Sequence, residues 1–400
     1  MKKHGAPALT RKETLDSFLN SWKPSPETEY VPLSEARGRF AAEDLYSENT
    51  LPPYRVSSFD GYAVKSAAFA NGIPDMSSWV KGVDYVNADT GDDFPDEYDT
   101  IIAVEDFHFD ENGIPYFDDD FEFKAGENIR GAGTQLKAGD LLVKKNVRIT
   151  TDILVALASG GIRFVPVYKK VKVAFIPTGS ELIAAGTIPY RGTNIDTNSI
   201  LAKNYLEDYG AEPLLYPIIK DTKEHLRTLL CEAVSQADIV IINGGSSKGS
   251  EDFNTKLLEE LGSFYHHGVK AAPGRPVGTA LIDGKPVINV PGPSLACWLG
   301  FDWLIKPLVY FYYGAPLPKR PTVQAKVVGN IGRGKGAPLE VLKKVHVAAD
   351  GDGFIVSDIP KSTGIGETAL LANGFVPVPI GTCYSDGDII EVELLGSKPE

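Results

Sequence analysis

Cysteine is nearly absent: the 400 residues hold three, Cys231, Cys297 and Cys383. They stand far apart without CxxC or Cys/His spacing, so neither a disulfide framework nor a zinc site is indicated, and reduced thiols in a cytoplasm are the simplest reading. No run of about 18 apolar residues occurs, which excludes a membrane-spanning helix. The basic start MKKHGAPALTRKETL lacks an apolar stretch behind it, so a secretory leader is not expected. Positive charge is also in deficit: 40 Lys and Arg face 53 Asp and Glu, giving a formal charge of -13. A broad basic face for nucleic acid is thereby excluded, and any anion site must be local.

What is present points to several domains, because 400 residues at 43% hydrophobic content exceed one ordinary core. The acidity is concentrated: Asp84 to Glu122 holds 15 Asp or Glu and no Lys or Arg. Its aromatic and β-branched residues give it enough apolar matter to fold as solvated strands and loops rather than a disordered tail.

Thr10 to Glu13 reads T-R-K-E, a capping box, and Leu15, Phe18, Leu19 and Trp22 follow at helical spacing. A short helix is expected around Ser34 to Asp44, then a structured loop LPPYRVSSFDGYA, then short alternating β segments to about Asn146. TTDILVALASGG reads as a helix. From Lys170 the pattern alternates between apolar strands (KVKVAFIPTG, AEPLLYPII, ADIVIING) and helices over 197–209 and 222–236. Such alternation predicts a parallel sheet with crossover helices. A helix near 253–261, strands TALID and KPVINV, and one long apolar helix over 294–313 complete that block. After Pro316, Pro318 and Pro321 the chain is mainly β.

The expected architecture is a multidomain α/β protein with a central three-layer domain over residues 170–316. A helical linking domain takes 1–50 and 147–169, a β-rich insert 51–146, and a β-barrel-like domain 317–400.

Ligands of open parallel sheets bind beyond the carboxyl ends of the strands. One such end opens into INGGSSKGSEDFN, with Gly244, Gly245, Ser246, Ser247 and Asp252. It matches neither GxxxxGK[ST] nor GxGxxG, yet its glycines can bring backbone N–H groups to a phosphate before a helix begins. The same glycines serve a tight strand-to-helix turn equally well. The first strand ends in PTGSEL, with Thr178, Gly179, Ser180 and Glu181, and NIDTNS adds Asp196 and Asn198. Glu181, Asp196 and Asp252 together could hold Mg²⁺ against phosphates, although Asp196 alone reads as a helix cap. KAAPGRPV and NVPGPSLA place Lys270, Pro273, Gly274, Arg275, Pro276, Pro291, Gly292 and Ser294 at rigid turns, where backbone amides and a guanidinium could take an oxyanion.

SSFDGYAV, PTGSEL, DTNS, GGSSKGSEDF and VPGPSLA, in this order, resemble the tags of the molybdopterin molybdenumtransferases, the family of MoeA and the gephyrin E domain, over nearly the whole chain. The resemblance implies an elongated homodimer in the cytoplasm whose α/β domain binds adenylylated molybdopterin. It implies Mg²⁺-dependent cleavage of the pyrophosphate, with molybdate as substrate, AMP as product and a molybdopterin adenylyltransferase as a partner. Carried over by position, Asp60 comes from the β-side loop, which the resemblance turns toward the α/β domain of the other subunit, while Glu181, Asp221 and Asp252 line the cleft, with Glu181 and Asp252 toward the metal. Gly244, Gly245 and Ser246 cradle phosphate.

Departures cluster where the family handles molybdate. The turn K/R-P-G-K-P is here A-P-G-R-P, so Ala272 removes a cation and Arg275 replaces a lysine. The tag R-x-E-F-x-R has become PLEVLK, where Glu340 survives and Lys343 stands for the second arginine, and Thr368 stands for a serine. Two further readings follow: a pterin- or nucleotide-binding paralogue without metal insertion, and a nucleotide pyrophosphatase on the same domain.

Overall fold

The computed structural model describes residues 8–219, 223–245, 253–332, 338–360 and 362–396. Its contacts divide the chain into two compact units, Thr28–Val167 on one side and Met1–Glu27 with Tyr168–Glu400 on the other.

In the unit Thr28–Val167, the strands Tyr85–Ala88, Gly61–Val64 and Thr100–Ala103 form an antiparallel sheet with Gly61–Val64 in the middle. Side chains alternate along it. Ala63 and Ile101 join one core with Phe94 and Tyr98, while Val64 and Ile102 join another with Phe69, Tyr85 and Phe107. The acidic segment folds by its aromatics: Phe117 stacks on Phe121 at 4.3 Å, Phe123 just beyond it stacks on Phe69 at 3.8 Å, and Asp118, Asp119 and Asp120 stay exposed. A third core gathers Val31, Ala41, Ile149, Leu157 and Val165 beside the helix Thr151–Ser159. The helix expected over 34–44 does not form. A single 3₁₀ turn, Leu33–Glu35, precedes Gly38 at φ 79°, and Phe40 and Ala41 then run extended against Arg148 and Val167. The left-handed glycine ends the helical path there.

In the other unit the helix Arg11–Ser21 starts on the expected capping box, with Thr10 and Glu13 satisfying each other's backbone N–H. The α/β sheet is built from β1 (Lys172–Pro177), β2 (Glu212–Leu215), β3 (Ile239–Asn243), β4 (Tyr265–His267), β5 (Gly278–Ile282) and β6 (Lys285–Val290). Its order is β2-β1-β3-β6-β5-β4, with the first four strands parallel and the pairings β6–β5 and β5–β4 at one edge antiparallel. β1, β3 and β6 are apolar almost throughout because both faces are covered. The helices α2 (Lys223–Gln236) and α3 (Phe253–Leu261) lay Leu226, Leu230, Leu257 and Leu258 on Ala174, Ile176, Val240 and Ile242. Phe175, pointing the other way, meets Phe301 with centroids 6.1 Å apart. The helix α1 (Asn198–Asp208) crosses from β1 to β2.

The helix expected over 294–313 is present but interrupted: α4 (Ser294–Gly300) passes through a π-helical turn, Phe301–Ile305, into α5 (Lys306–Tyr312). Pro307 supplies the cause. It has no N–H for the carbonyl four residues back and its ring crowds that carbonyl, so the turn widens.

The C-terminal region is a closed five-stranded barrel. Its strands β7 (Thr322–Val328), β8 (Glu340–Asp350), β9 (Gly353–Asp358), β10 (Gly374–Val378) and β11 (Ile389–Leu394) run in the order β8-β9-β7-β11-β10, and β10 closes back on β8. Ala325, Val327, Val345, Val347, Val356, Val376 and Val392 fill it. The short strand Ala271–Ala272 joins β8 in parallel register, Ala271 opposite Glu340.

Candidate functional site at the strand ends

The carboxyl ends of β1, β3 and β6 carry three loops, and buried asparagines tie them together. Asn243, the last residue of β3, donates from Nδ2 to the Pro291 carbonyl at 2.9 Å. Its Oδ1 accepts from Asn198 Nδ2 at 2.9 Å, and the same amide donates to the Gly292 carbonyl at 2.7 Å. The Asn243 carbonyl accepts the Thr178 N–H at 2.8 Å and the Thr178 hydroxyl at 3.1 Å. Asn254, in the first turn of α3, donates to the Gly244 carbonyl at 2.9 Å. Amide side chains suit this task because each offers donors and an acceptor from one buried group. One acceptor is left over: Asn198 Oδ1 is buried and receives no hydrogen bond from the described residues.

Glycine is required where the loops converge. Gly244 sits at φ 113°, and a Cβ there would lie 2.3 Å from the Thr178 carbonyl oxygen. Gly245 sits at φ 51°, with Asn254 Nδ2 2.6 Å from the Cβ position. A Cβ on Gly292 would stand 4.0 Å from Gly244 Cα, so two backbones run side by side without side chains between them. Gly244 also donates its N–H to Val290 at 3.0 Å.

Of the carboxylates, Glu181 is exposed and no described residue pairs with it; its side chain folds over Gly179, with Oε1 2.7 Å from that residue's Cβ position. Ser180 beside it is exposed too. Asp196 is buried and engaged, accepting the Ser199 N–H at 3.0 Å and the Ser199 hydroxyl at 2.5 Å. It thus caps α1. Ser294 begins α4 with its hydroxyl 3.0 Å from that of Thr197. Among the described residues no three His, Cys, Asp or Glu side chains cluster as a metal site. Asp221, Ser246, Ser247 and Asp252 lie outside the described residues.

The turn Pro273–Pro276 is the tip of the excursion between β4 and β5. Gly274 turns it at φ 106°, the Val269 N–H closes it on the Arg275 carbonyl at 2.8 Å, and Arg275 is exposed with no partner among the described residues. The Lys270 carbonyl accepts the Glu340 N–H at 2.9 Å, which places this stretch against the barrel. Lys343 donates to Asp358 at 2.5 Å. Both Glu340 oxygens are taken by Arg11, at 2.5 and 2.6 Å. Thr368 is half-buried in the short helix Ile365–Leu371.

In the unit Thr28–Val167, Asp60 is exposed between two short strands and accepts the Thr90 N–H at 2.7 Å, which holds its carboxyl below the usual range. The following Gly61 admits no substitute, since a Cβ would lie 2.1 Å from the Ile102 carbonyl oxygen.

Residues 9–161 match the family model described as MoeA N-terminal region (domain I and II), and residues 174–310 match that of a probable molybdopterin binding domain. The molybdopterin molybdenumtransferase of Haemophilus influenzae is 30% identical over 326 residues, covering 78% of this chain and 80% of that protein. This chain belongs to the molybdopterin molybdenumtransferase family. It is therefore placed among transferases of molybdenum cofactor biosynthesis. The Bacillus subtilis member is 26% identical over 391 residues, covering 92% of this chain and 90% of its own. The crystal structure of the molybdopterin biosynthesis MoeA protein of Pyrococcus horikoshii has a TM-score of 0.76 at 27% identity, covering 98% of this chain and all of that one.

Within this family member, the sequence located the glycines and Glu181 at one sheet end but missed Asn243, Asn254 and Thr197, which bind the loops to each other. The signal for Asn243 was available: an amide directly after four buried aliphatic residues needs partners that the strand itself does not supply.

Proposed function

We propose that this chain inserts molybdate into adenylylated molybdopterin and releases AMP, with Mg²⁺ held by Glu181 and Asp252. The observation that supports this most strongly is the pair of side-chain-free loops at Gly244 and Gly292, so close that a Cβ on Gly292 would stand 4.0 Å from Gly244 Cα and tied by the asparagine web, with the exposed Glu181, unpaired among the described residues, on the loop after Thr178. Backbone can approach a diphosphate closely only where no Cβ intervenes.

The donors present suit the metal. Glu181 offers oxygens of the kind a hard cation takes, unpaired among the described residues, whereas Asp196 is occupied by Ser199. Bound there, Mg²⁺ offsets negative charge on the pyrophosphate oxygens during cleavage. The chain's own residues do the rest. Gly244 and Gly245 admit the diphosphate, and Asn198 Oδ1 accepts a hydrogen bond from the ligand. Arg275 presents a planar fork of N–H donors to molybdate, with Lys270 on the same excursion adding charge. Asp60 serves as a further acidic group of the reaction. The reading includes a cytoplasmic homodimer supplied with substrate by a molybdopterin adenylyltransferase.

The test is Mg²⁺-dependent release of AMP from adenylylated molybdopterin by wild type and by Glu181→Gln. The variant is expected to lose at least about a hundredfold in rate, on the scale of removing one group that stabilises a transition state, while melting within about 1 °C of wild type because Glu181 is exposed and unpaired. Unchanged turnover in the variant would remove Glu181 from the site. A second reading draws on Ala272 and on the pairing of Lys343 with Asp358, which together leave the oxyanion fewer free cations. It is a chain that binds the pterin nucleotide without inserting metal, and tight binding with no AMP released would select it.

A further inference from the structure

Away from the strand-end loops, α4, β8, β10 and the segment just before β7 bring together a cluster that the proposed reaction does not use. Trp298 of α4 is 5% exposed and donates its indole N–H to the Tyr205 hydroxyl at 2.8 Å. Phe375 of β10 lies against it, with centroids 5.8 Å apart. Two cations address these rings: the Arg320 guanidinium stands 5.9 Å from Trp298 and 5.7 Å from Phe375, and Lys344 Nζ stands 3.8 Å over Trp298.

The two cations are treated unequally. Arg320 takes both oxygens of Asp302 and accepts Glu393 as a second counter-ion at 3.1 Å. Lys344 has neither: among the described residues no hydrogen bond or ion pair reaches its Nζ, and its contact is the aromatic face. An ammonium in such a place gives up water without gaining a carboxylate; the ring face returns part of that cost, and the remainder favours the neutral amine. Lys344 is nonetheless only part-buried, on the rim of the cluster and not sealed in it.

We infer that Lys344 is a nucleophilic amine and a site of acylation by acyl phosphates. In the step, the Nζ lone pair attacks the acyl carbonyl carbon and a C–N bond forms. The bond between the acyl carbon and the bridging oxygen breaks, phosphate leaves with that electron pair and its P–O bond intact, and the proton released from nitrogen passes to water. The product is a neutral amide that cannot act as a cation over Trp298, whose helix begins at Ser294.

The electrostatics agree. Burial lowers the Lys344 pKa to about 8, with Arg320 adding to the fall and Asp302 opposing it. At pH 7.5 such an amine is about one quarter free base, against roughly one part in a thousand for an ordinary lysine near 10.4. The weaker base is a weaker nucleophile and its burial slows access, so part of this advantage of roughly two hundredfold is lost.

The experiment treats the full chain with acetyl phosphate from pH 7 to 10.5 and follows acetylation of each lysine by peptide mass spectrometry. Lys344 is expected to react about tenfold faster than the median lysine at pH 7.5, with a rate that levels off above its pKa while the others keep rising. Arg320→Gln frees Asp302 to pair with Lys344 and is expected to slow acetylation of Lys344 alone. A Lys344 rate at or below the median at pH 7.5 in the wild type, or one that climbs to pH 10 like the rest, overturns the inference.

Discussion

Replacing Asn243 by Ala tests whether the asparagine web holds the candidate site together. The substitution removes two short side-chain hydrogen bonds, one to the Pro291 carbonyl and one from Asn198, both at 2.9 Å, besides a long contact of 3.5 Å to the Val290 carbonyl that adds little. Each is worth about 1 kcal/mol net, and the buried Pro291 carbonyl, left without its donor, adds about 1 kcal/mol more. Asn198 keeps its bond to Gly292, so its amide is not orphaned. The expected loss is about 3 kcal/mol, or roughly 6–12 °C in the melting temperature of a domain of this size. Differential scanning calorimetry of both proteins measures it. The double variant Asn198→Ala with Asn243→Ala should fall short of additivity by about 1 kcal/mol, because one bond is shared by both residues. A drop under 2 °C for Asn243→Ala, or strict additivity, would refute the idea that these amides carry the loop geometry.

Gly244→Ala adds a Cβ 2.3 Å from the Thr178 carbonyl at φ 113°, so it should cost about 1–3 kcal/mol in backbone strain and weaken binding of the pterin nucleotide in a calorimetric titration. Lys344→Met should change stability with pH in a defined sense. The folded pKa of about 8 lies below the unfolded 10.5, so between those values the unfolded chain holds more protons and wild-type stability rises with pH. The melting-temperature advantage of the variant is therefore full below pH 8 and shrinks toward pH 10.5; a gain independent of pH contradicts the buried-charge account.

The parallel sheet was legible because β1, β3 and β6 are apolar runs separated by helical periodicity, a signal that local sequence carries by itself. The barrel was legible as β structure in the same way, while its closure depends on β10 returning to β8 and is not written in either segment. The failed helix over 34–44 shows how one residue decides: a short helix was expected there, and Gly38 at φ 79° turned the chain out of it. The expected long helix was right in extent, yet Pro307 converted its middle into a π turn.

At the candidate site, short glycine tags stood out because few residues tolerate their backbone geometry. The asparagine web was harder to see, since Asn198, Asn243 and Asn254 lie on three separate elements and read singly as caps or turn formers. The bond between Arg11 and Glu340 spans 329 positions and depends on how the N-terminal helix meets the barrel. Lys343 illustrates the opposite case: a cation free to meet an oxyanion in the sequence is paired with Asp358 in the fold.

The central claim is metal insertion, and the most direct measurement is formation of active cofactor. Purified protein is supplied with adenylylated molybdopterin, Mg²⁺ and graded molybdate, and the product is assayed by reconstituting a molybdenum-free enzyme while AMP is counted. The account predicts saturable, molybdate-dependent appearance of cofactor with AMP in equal amount. Bound pterin nucleotide with neither product at any molybdate concentration would contradict it.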